Sequence, residues 1–494
     1  MDVNISLRGS AVALLAALSA CAVGPNFHRP APPAAADYGT AKSQGTTAAS
    51  PVTGGTAQHL VGGVDLPGQW WELFQSPKLT ALVEQSLKAN PNIDAARAAL
   101  RQAHELYKAQ RTSLFPVVQG SFDALRAKNA VETLANPTSL PQVNPYYNLF
   151  TAQLDLTYMP DVFGGTRRSL EATRAQVDAT RFELIATYVT LSSNVVTTAV
   201  QEASLRGQIT ATERLLALQH ELTTTMQRQR EIGTASNANL LAQQAAEAQT
   251  AATLPPLQKQ LGQTRDALTA LLGRLPAQEP AETFRLDDLT LPADVPVSLP
   301  AKLVEQRPDV RQAEENLHAA SAQVGVAVAN MLPQFTITAN TGSTALEIGQ
   351  LFHSNTGFWS LGASLTQTLF DAGALIHRHR AAEAALDEAG AQYRATVILA
   401  CQNVADTLRA LQADADALRA SAAADRAANA SFDLARQQYK NGSLSLVALL
   451  NAEQTYQQAE IALVQAEASR YADTAGLFQA LGGGWWNLPE ATFK

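Results

Sequence analysis

The sequence predicts a mixed helical and β membrane protein, in which a unit of two strands plus a long helical hairpin is written twice. Three observations predict it: an internal duplication, two long proline-free spans of helix formers, and short runs that alternate apolar with small polar residues. The duplication is direct. Leu82-Val83-Glu84-Gln85-Ser86-Leu87-Lys88-Ala89-Asn90-Pro91 is echoed by residues 299–308, and Leu114-Phe115-Pro116 by Met331-Leu332-Pro333. Here the displacement is 217 (308 − 91); further on it is 209, as from Gly233 to Gly442 (442 − 233) and from Ser236 to Ser445. The lost residues fall between Pro116 and Leu156, a stretch holding Asn129, Asn136, Pro137, Pro141, Asn144 and Pro145. A length change confined to turn formers reads as a surface loop, longer in the first copy. A repeat of this size implies pseudo-symmetry about an axis.

The N-terminus reads as a targeting segment. Arg8 supplies a basic start and residues 11–18 an apolar stretch too short to span a bilayer, followed by Leu18-Ser19-Ala20-Cys21. This is similar to a bacterial lipoprotein signal: residues 1–20 are removed and Cys21 receives lipid, leaving Cys401 as the remaining thiol and no intrachain disulfide. Ala22 stands where an aspartate would resemble an inner-membrane retention signal, so outer-membrane sorting is expected. Acyl chains, at about 0.8 kcal/mol per buried CH₂, would anchor the chain firmly. Residues 30–64 are rich in Ala, Gly, Pro, Thr and Ser, and read as a tether lying along or away from the body.

No proline occurs between Pro160 and Pro255, or between Pro333 and Pro489. Within these spans residues 166–230 and 374–440 are mostly Ala, Gln, Arg, Glu and Leu, which predicts helical rods of about 100 Å each. Alanine faces let such rods approach closely. Each ends at a glycine followed by turn formers, Gly233 to Ser236 and Gly442 to Ser445. The glycine fits a helix C-cap and the serine the N-cap of a returning helix.

Between the helices lie strand-like runs. Phe150, Ala152, Leu154, Leu156 and Tyr158 alternate with Thr151, Gln153, Asp155 and Thr157; Trp359, Leu361, Ala363 and Leu365 alternate with Ser360, Gly362, Ser364 and Thr366. Phe335, Ile337 and Ala339 repeat the pattern, and residues 117–125 follow it less regularly. Such runs fit strands between lipid and a wet lumen, or a soluble sheet with one packed face. Tyr146, Tyr147, Tyr158, Phe358 and Trp359 suit an interfacial aromatic belt. Four strands cannot close a membrane barrel, and open edges are excluded from lipid. Two chains would give eight strands and a filled interior; three give twelve, with a channel, and a twelve-helix tube. A homotrimer is therefore expected.

The domains expected are a signal peptide (1–20), a lipidated tether (21–65), a first repeat (66–290), a second repeat (291–486) and a tail (487–494). The first repeat places strands at about 116–126 and 148–158 and a hairpin at about 166–275. The second places strands at about 334–342 and 358–369 and a hairpin at about 374–481.

Ordered along the chain, these pieces resemble the outer-membrane factor family: TolC-like channels, in the lipoprotein branch (NodT-type) that serves resistance-nodulation-division efflux pumps. The matching residues are Cys21-Ala22-Val23-Gly24-Pro25-Asn26-Phe27, Trp70-Trp71-Glu72-Leu73-Phe74, Asn90-Pro91, Arg307-Pro308-Asp309, Leu369-Phe370-Asp371-Ala372-Gly373 and Leu481-Gly482-Gly483-Gly484-Trp485. The resemblance implies a trimeric, lipid-anchored outer-membrane conduit for passive exit of small molecules. A periplasmic adaptor and an inner-membrane pump of the resistance-nodulation-division type would deliver them. It implies that Gly233, Ser236, Gly442 and Ser445 lie at the periplasmic tip and adaptor contact, with a gate constriction nearby. In family members acids ring the pore just past the second-repeat glycine. Here Val447-Ala448-Leu449-Leu450-Asn451 stands there, with Asn237 and Asn239 in the first repeat and Asp433 one helix earlier. The constriction expected is thus Val447, Asn451, Asn239 and Asp433, largely uncharged.

Other classes fit less well. Net charge is −8 with interspersed signs, which leaves no basic face for nucleic acid. His377 and His379 point about 200° apart on a helix and do not chelate together, so His377-Arg378-His379-Arg380, like Arg167 and Arg168, reads as a basic collar near lipid headgroups. No Ser–His–acid or Cys–His set or phosphate loop stands out, so neither enzymatic activity nor a cofactor beyond the lipid on Cys21 is expected. A periplasmic lipoprotein adaptor would carry one hairpin, not two; an envelope scaffold would not need amphipathic strands. A type I-like protein export conduit fits the lipidated start and the Leu-Gly-Gly-Gly-Trp end less well.

Overall fold

The computed structural model describes residues 22–35, 37–39, 45–128, 130, 146–234 and 236–493; residues 1–20 and Cys21 lie outside them. In chain order its strands and α-helices are β1 (Gly45–Thr46), β2 (His59–Gly62), α1 (Pro77–Ala89), α2 (Pro91–Arg111), β3 (Val117–Lys128), β4 (Tyr146–Tyr158), α3 (Gly165–Glu231), α4 (Asn237–Ala251), α5 (Leu254–Leu271), β5 (Asp294–Val297), α6 (Pro300–Gln306), α7 (Pro308–Ala329), β6 (Gln334–Ala345), β7 (Gly357–Thr366), α8 (Ala374–Lys440) and α9 (Leu446–Ala480). The chain gathers into two compact units. One comprises Met1–Arg29, Gln102–Asp178 and Glu315–Ala391; the other comprises Pro30–Arg101, Ala179–Glu314 and Gln392–Lys494.

The first unit is organised by a four-stranded antiparallel sheet in the order β3-β4-β6-β7, so the two repeats meet at the β4–β6 ladder. Its register sorts the side chains by face. Phe122↔Ala152, Val118↔Leu156, Leu156↔Ala339, Tyr158↔Ile337, Phe335↔Leu365 and Ala339↔Leu361 are directly opposed and share one apolar face. The other face carries Thr151, Gln153, Asp155, Asn340 and Ser360; the Thr151 and Thr344 hydroxyls lie 3.2 Å apart, and Ser360 Oγ donates to Asn340 Oδ1 at 2.9 Å. The apolar face is open in the single chain: Val118, Phe122, Leu154, Trp359, Leu361 and Leu365 are all exposed. β3 and β7 are edges, each paired on one side only.

The pleat divides the aromatic residues. Tyr146, Tyr158 and Trp359 share the parity of the apolar face, whereas Tyr147 and Phe358 fall on the polar face. They also occupy different places along the strands. Tyr146 and Tyr147 begin β4 and Tyr158 ends it, while Trp359 pairs with Thr341, which in turn opposes Leu154. The five therefore do not make one row, because a period of two alternates faces irrespective of residue type. β7 also stops at Thr366, short of the expected 369; Leu369 and Phe370 follow it, almost fully exposed.

Each long helix starts at an aspartate. Asp161 accepts from the backbone N–H groups of Thr166 and Arg167, and Asp371 from those of Gly373 and Leu375, which satisfies amides that a helix start leaves open. α3 and α8 each run 67 residues, about 100 Å. The buried stripe of α8 is mainly Leu and Ala, among them Leu408, Leu411, Ala415, Leu418 and Ala422.

The second unit holds an aromatic core. Trp70, Trp71, Phe74, Tyr471 and Phe478 are at most 1% exposed, with ring centroids of Trp70 5.6 Å from Phe478 and of Phe74 6.3 Å from Tyr471. The segment read as a tether lies along this unit. β1 pairs with β2, and β2 runs parallel to β5. Tyr38 donates its hydroxyl to Ser298 O, and Gln58 donates to Pro292 O and Thr474 Oγ1. Few large apolar side chains are needed there because the segment completes a sheet and hydrogen-bonds to helix α9.

The returning arm of the first hairpin, expected as one span to about 275, is interrupted at Ala252–Thr253 before Pro255 and Pro256. Prolines lack the N–H a continuous helix would need, and are tolerated at the first turn of α5 instead.

Candidate functional site

The two helix turns are built alike, atom for atom. At the end of α3, Gly233 N–H donates to Arg230 O and Thr234 N–H to Gln229 O; at the end of α8, Gly442 N–H donates to Tyr439 O and Ser443 N–H to Gln438 O. This is the Schellman closure, which needs a left-handed residue: Gly233 has φ 79° and Gly442 φ 73°. Thr234 Oγ1 and Ser443 Oγ add bonds to the same Gln229 and Gln438 carbonyls. Ser236 then accepts from Asn239 N–H at 3.1 Å and Ser445 from Ala448 N–H at 3.3 Å, starting α4 and α9. Beside the turns the four helices meet in one apolar cluster of Met226, Leu240, Phe432, Ala435, Leu446 and Leu449. Phe432 stacks on Tyr456 at 5.6 Å with rings 9° from parallel. The turns are thus hydrogen-bonded corners on a packed base.

The residues expected at a constriction are all on the outside of this packing. Val447 is 67% exposed, and Asn239, Asn451 and Asp433 are exposed. Val447 and Asn451 lie one turn apart on α9, whereas Asn239 on α4 is the counterpart of Ala448, each donating its N–H to the capping serine. Among the described residues no hydrogen bond joins any two of the four. A ring of such residues would require further copies of the chain.

In the first unit, residues 22–27 lie in a cradle. Arg168, whose side chain is 5% exposed, donates from Nε to Val23 O (3.1 Å) and from Nη2 to Gly24 O (3.4 Å) and Asn26 Oδ1 (2.6 Å). Its Nη1 pairs with Glu171 Oε2 at 2.8 Å, and Glu171 Oε1 meets His318 Nε2 at 3.0 Å. The His318 ring stacks on Phe27 at 4.4 Å and 15°. Burial pulls the Glu171 carboxyl up, but hydrogen bonds from Arg168 and His318 win and hold it below the usual carboxylate range. Gly24 (φ 91°) lies directly over Gly325, where a Cβ on either would collide. Arg168 therefore does not belong to an exposed basic collar: its guanidinium is buried by the segment it holds, and Arg167 pairs with Asp161. Cys21 itself lies outside the described residues.

A model of the family of outer membrane efflux proteins matches residues 82–274 and 299–483. The chain belongs to the outer membrane efflux protein family. It is 28% identical over 423 residues to the pyoverdine export outer membrane protein OpmQ of Pseudomonas putida, spanning 85% of this chain and 89% of that one. It is 27% identical over 470 residues to the probable efflux pump outer membrane protein TtgC of the same species, spanning 95% and 94%. Among solved structures, the outer-membrane channel OprN shares 28% identity with a TM-score of 0.82, covering 94% of this chain and all of that one. The Campylobacter jejuni CmeC outer membrane channel, at 22% identity, shares the fold with a TM-score of 0.84 over 94% of this chain and 95% of its own. The protein is thus an outer-membrane channel of an efflux system, with the TolC-like duplicated protomer.

Several residues of the efflux protein that belong to no sequence motif are structurally prominent. Glu453 is 3% exposed on α9, and Gln219 and Gln243 are at most 3% exposed on α3 and α4. Arg470 is wholly buried and donates through Nη2 to Thr47 Oγ1, Thr56 O and Gln58 Oε1, clamping the tether. Only one sequence signal could have found Glu453: it falls on the helical stripe of Leu446 and Leu449, where an apolar residue is expected. Among the described residues no three His, Cys, Asp or Glu side chains are placed to hold a metal ion, and no helix is long and apolar enough to cross a membrane.

Proposed function

We propose that the efflux protein works as a homotrimer whose paired helix turns form the periplasmic tip, and that Cys21 carries a lipid anchor. Three sheets, each with one apolar face and two open edges, close a twelve-stranded barrel, and twelve helices form the tube; the open β3 and β7 edges carry this reading. The trimer lets small molecules leave passively after a periplasmic adaptor and an inner-membrane pump of the resistance-nodulation-division type deliver them. The corners at Gly233, Ser236, Gly442 and Ser445 are the adaptor contact: they are duplicated and exposed, which suits a surface gripped at several equivalent points. Val447 and Asn451, with Asn239 and Asp433, narrow the pore, Asp433 being the one acid of the set. Tyr146 and Tyr158, at opposite ends of β4 on the apolar face, meet the two membrane interfaces, and Trp359 faces lipid between them. The cradle around Arg168 fixes where the lipidated N-terminus enters the membrane surface.

A photo-crosslinking residue at Thr234 or Ser443, expressed in cells that carry the whole efflux system, tests the tip assignment. Crosslinks to a periplasmic adaptor from both positions are expected. Crosslinks only from positions on the sheet would overturn it.

A further inference from the structure

Glu453 sits where a carboxylate has little reason to be. It lies on α9 one turn beyond Leu449, which with Met226 is fully buried in the apolar cluster beside the turns. Its Oε2 is buried without a hydrogen-bond partner; so are Gln219 Oε1 and both polar atoms of Gln243. This burial is internal to one chain, among α3, α4, α8 and α9, and packing against further copies can only deepen it.

Among the described residues no cation faces the carboxyl. On α3 its neighbour is Gln219, which hydrogen-bonds it; the adjacent His220 turns to Glu247 of α4 at 2.9 Å, and Glu221 to Arg436 of α8 at 3.0 Å. α8 contributes Phe432 and Ala435 to the cluster, and α4 contributes Leu240, with Gln243 one turn on. Further along α9, Glu460 interacts with Arg214, Asp425 and Tyr456. An acid so enclosed stays packed only while it holds its proton.

We propose that Glu453 is a proton-operated latch on the four-helix packing behind the turns. Protonated, it is a neutral group that leaves α9 seated against α3 and α4. When the proton leaves to solvent, the buried carboxylate draws water or swings outward, and the residues of α9 next to the turn loosen. Burial pushes the carboxyl from 4.5 up to about 7, partly offset by the bond from Gln219. With the packed-state value above the free one, the latch is fully engaged below about 4.5 and is lost as pH rises through about 7. The ratio of seated to loosened forms then changes by up to a factor on the order of 300 across that window. Its consequence for flow rests on the turns being the channel tip, but the latch itself can be read without that assumption.

The test uses the purified trimer in detergent, wild type beside Glu453→Gln, from pH 4.5 to 8.5. Infrared difference spectra between the two should show a protonated carboxyl band that disappears with a midpoint near 7. Hydrogen exchange of residues 446–456, corrected for intrinsic pH dependence, should speed up roughly 100-fold in wild type and stay flat in the variant. Gln219→Leu, which removes the partner that favours the ionised form, should move the wild-type midpoint upward. An already ionised carboxyl at pH 5.5, a flat wild-type exchange profile, or a midpoint indifferent to Gln219→Leu would each overturn the latch. Conductance recorded on the same samples separates the two claims: exchange that follows Glu453 while conductance does not would keep the latch and remove the tip reading.

Discussion

Replacing Arg168 by alanine should release the N-terminal segment while leaving the sheet intact. Arg168 makes three hydrogen bonds to residues 23, 24 and 26 from a side chain that is 5% exposed, and its fourth partner is Glu171. Hydrogen bonds from a charged donor are worth about 1.5–3 kcal/mol each. The freed carbonyls of Val23 and Gly24 regain water, so the net loss of docking is about 3 kcal/mol rather than the sum. At about 1.4 kcal/mol per tenfold, this is on the order of 100-fold in local opening. The Val23 amide, which donates to Phe163 O at 3.1 Å, is the reporter. Hydrogen exchange of residues 22–27 should accelerate by that factor in Arg168→Ala, and by less in Arg168→Lys, which keeps charge but not the guanidinium fork. Exchange in β4 and β6 should not change. Equal protection of Val23 in wild type and Arg168→Ala would refute the cradle.

Three further outcomes follow from the same geometry. Ser236→Ala and Ser445→Ala each remove an N-cap bond and should cost about 1 kcal/mol locally, seen as about fivefold faster exchange in the first turn of α4 or α9. The Asp414 carboxyl is pushed up by burial and by its hydrogen bond with Asp473, to about 7, so its contribution to stability is complete below 3.8 and lost as pH rises through about 7. Asp414→Asn should therefore flatten the fall in thermal stability between about pH 4 and 7. Trp359 is 78% exposed on the apolar face, whereas Trp70 and Trp71 are buried; brominated lipid should quench fluorescence in wild type and much less in Trp359→Phe.

Local chemistry made the paired corners legible. A glycine two residues past a long helical run, with a serine three residues later, encodes a C-cap and the next N-cap whatever surrounds it. The alternation of Phe150 to Tyr158 and of Trp359 to Leu365 likewise encodes which face each residue takes. Residue type alone suggests an aromatic belt of five, and the same alternation separates Tyr147 and Phe358 from the other three. What stayed hidden depends on contacts between distant segments. Arg168 looks like its neighbour Arg167 in sequence, and only the fold brings Val23, Gly24 and Asn26 to it. Nothing near Gln58 announces Thr474 or Arg470. The break before Pro255 was legible in the prolines themselves, because two adjacent residues without N–H groups cannot continue a helix.

The channel with a largely uncharged constriction is tested most directly by reversal potentials in planar bilayers under a salt gradient, with wild type beside Asn451→Asp. Discrete openings are expected from both, with the variant shifted toward cations because three added carboxylates would ring the pore. Openings with identical selectivity would contradict the placement of Asn451 on the pore axis. No openings, together with no stable trimer in detergent, would contradict the conduit itself.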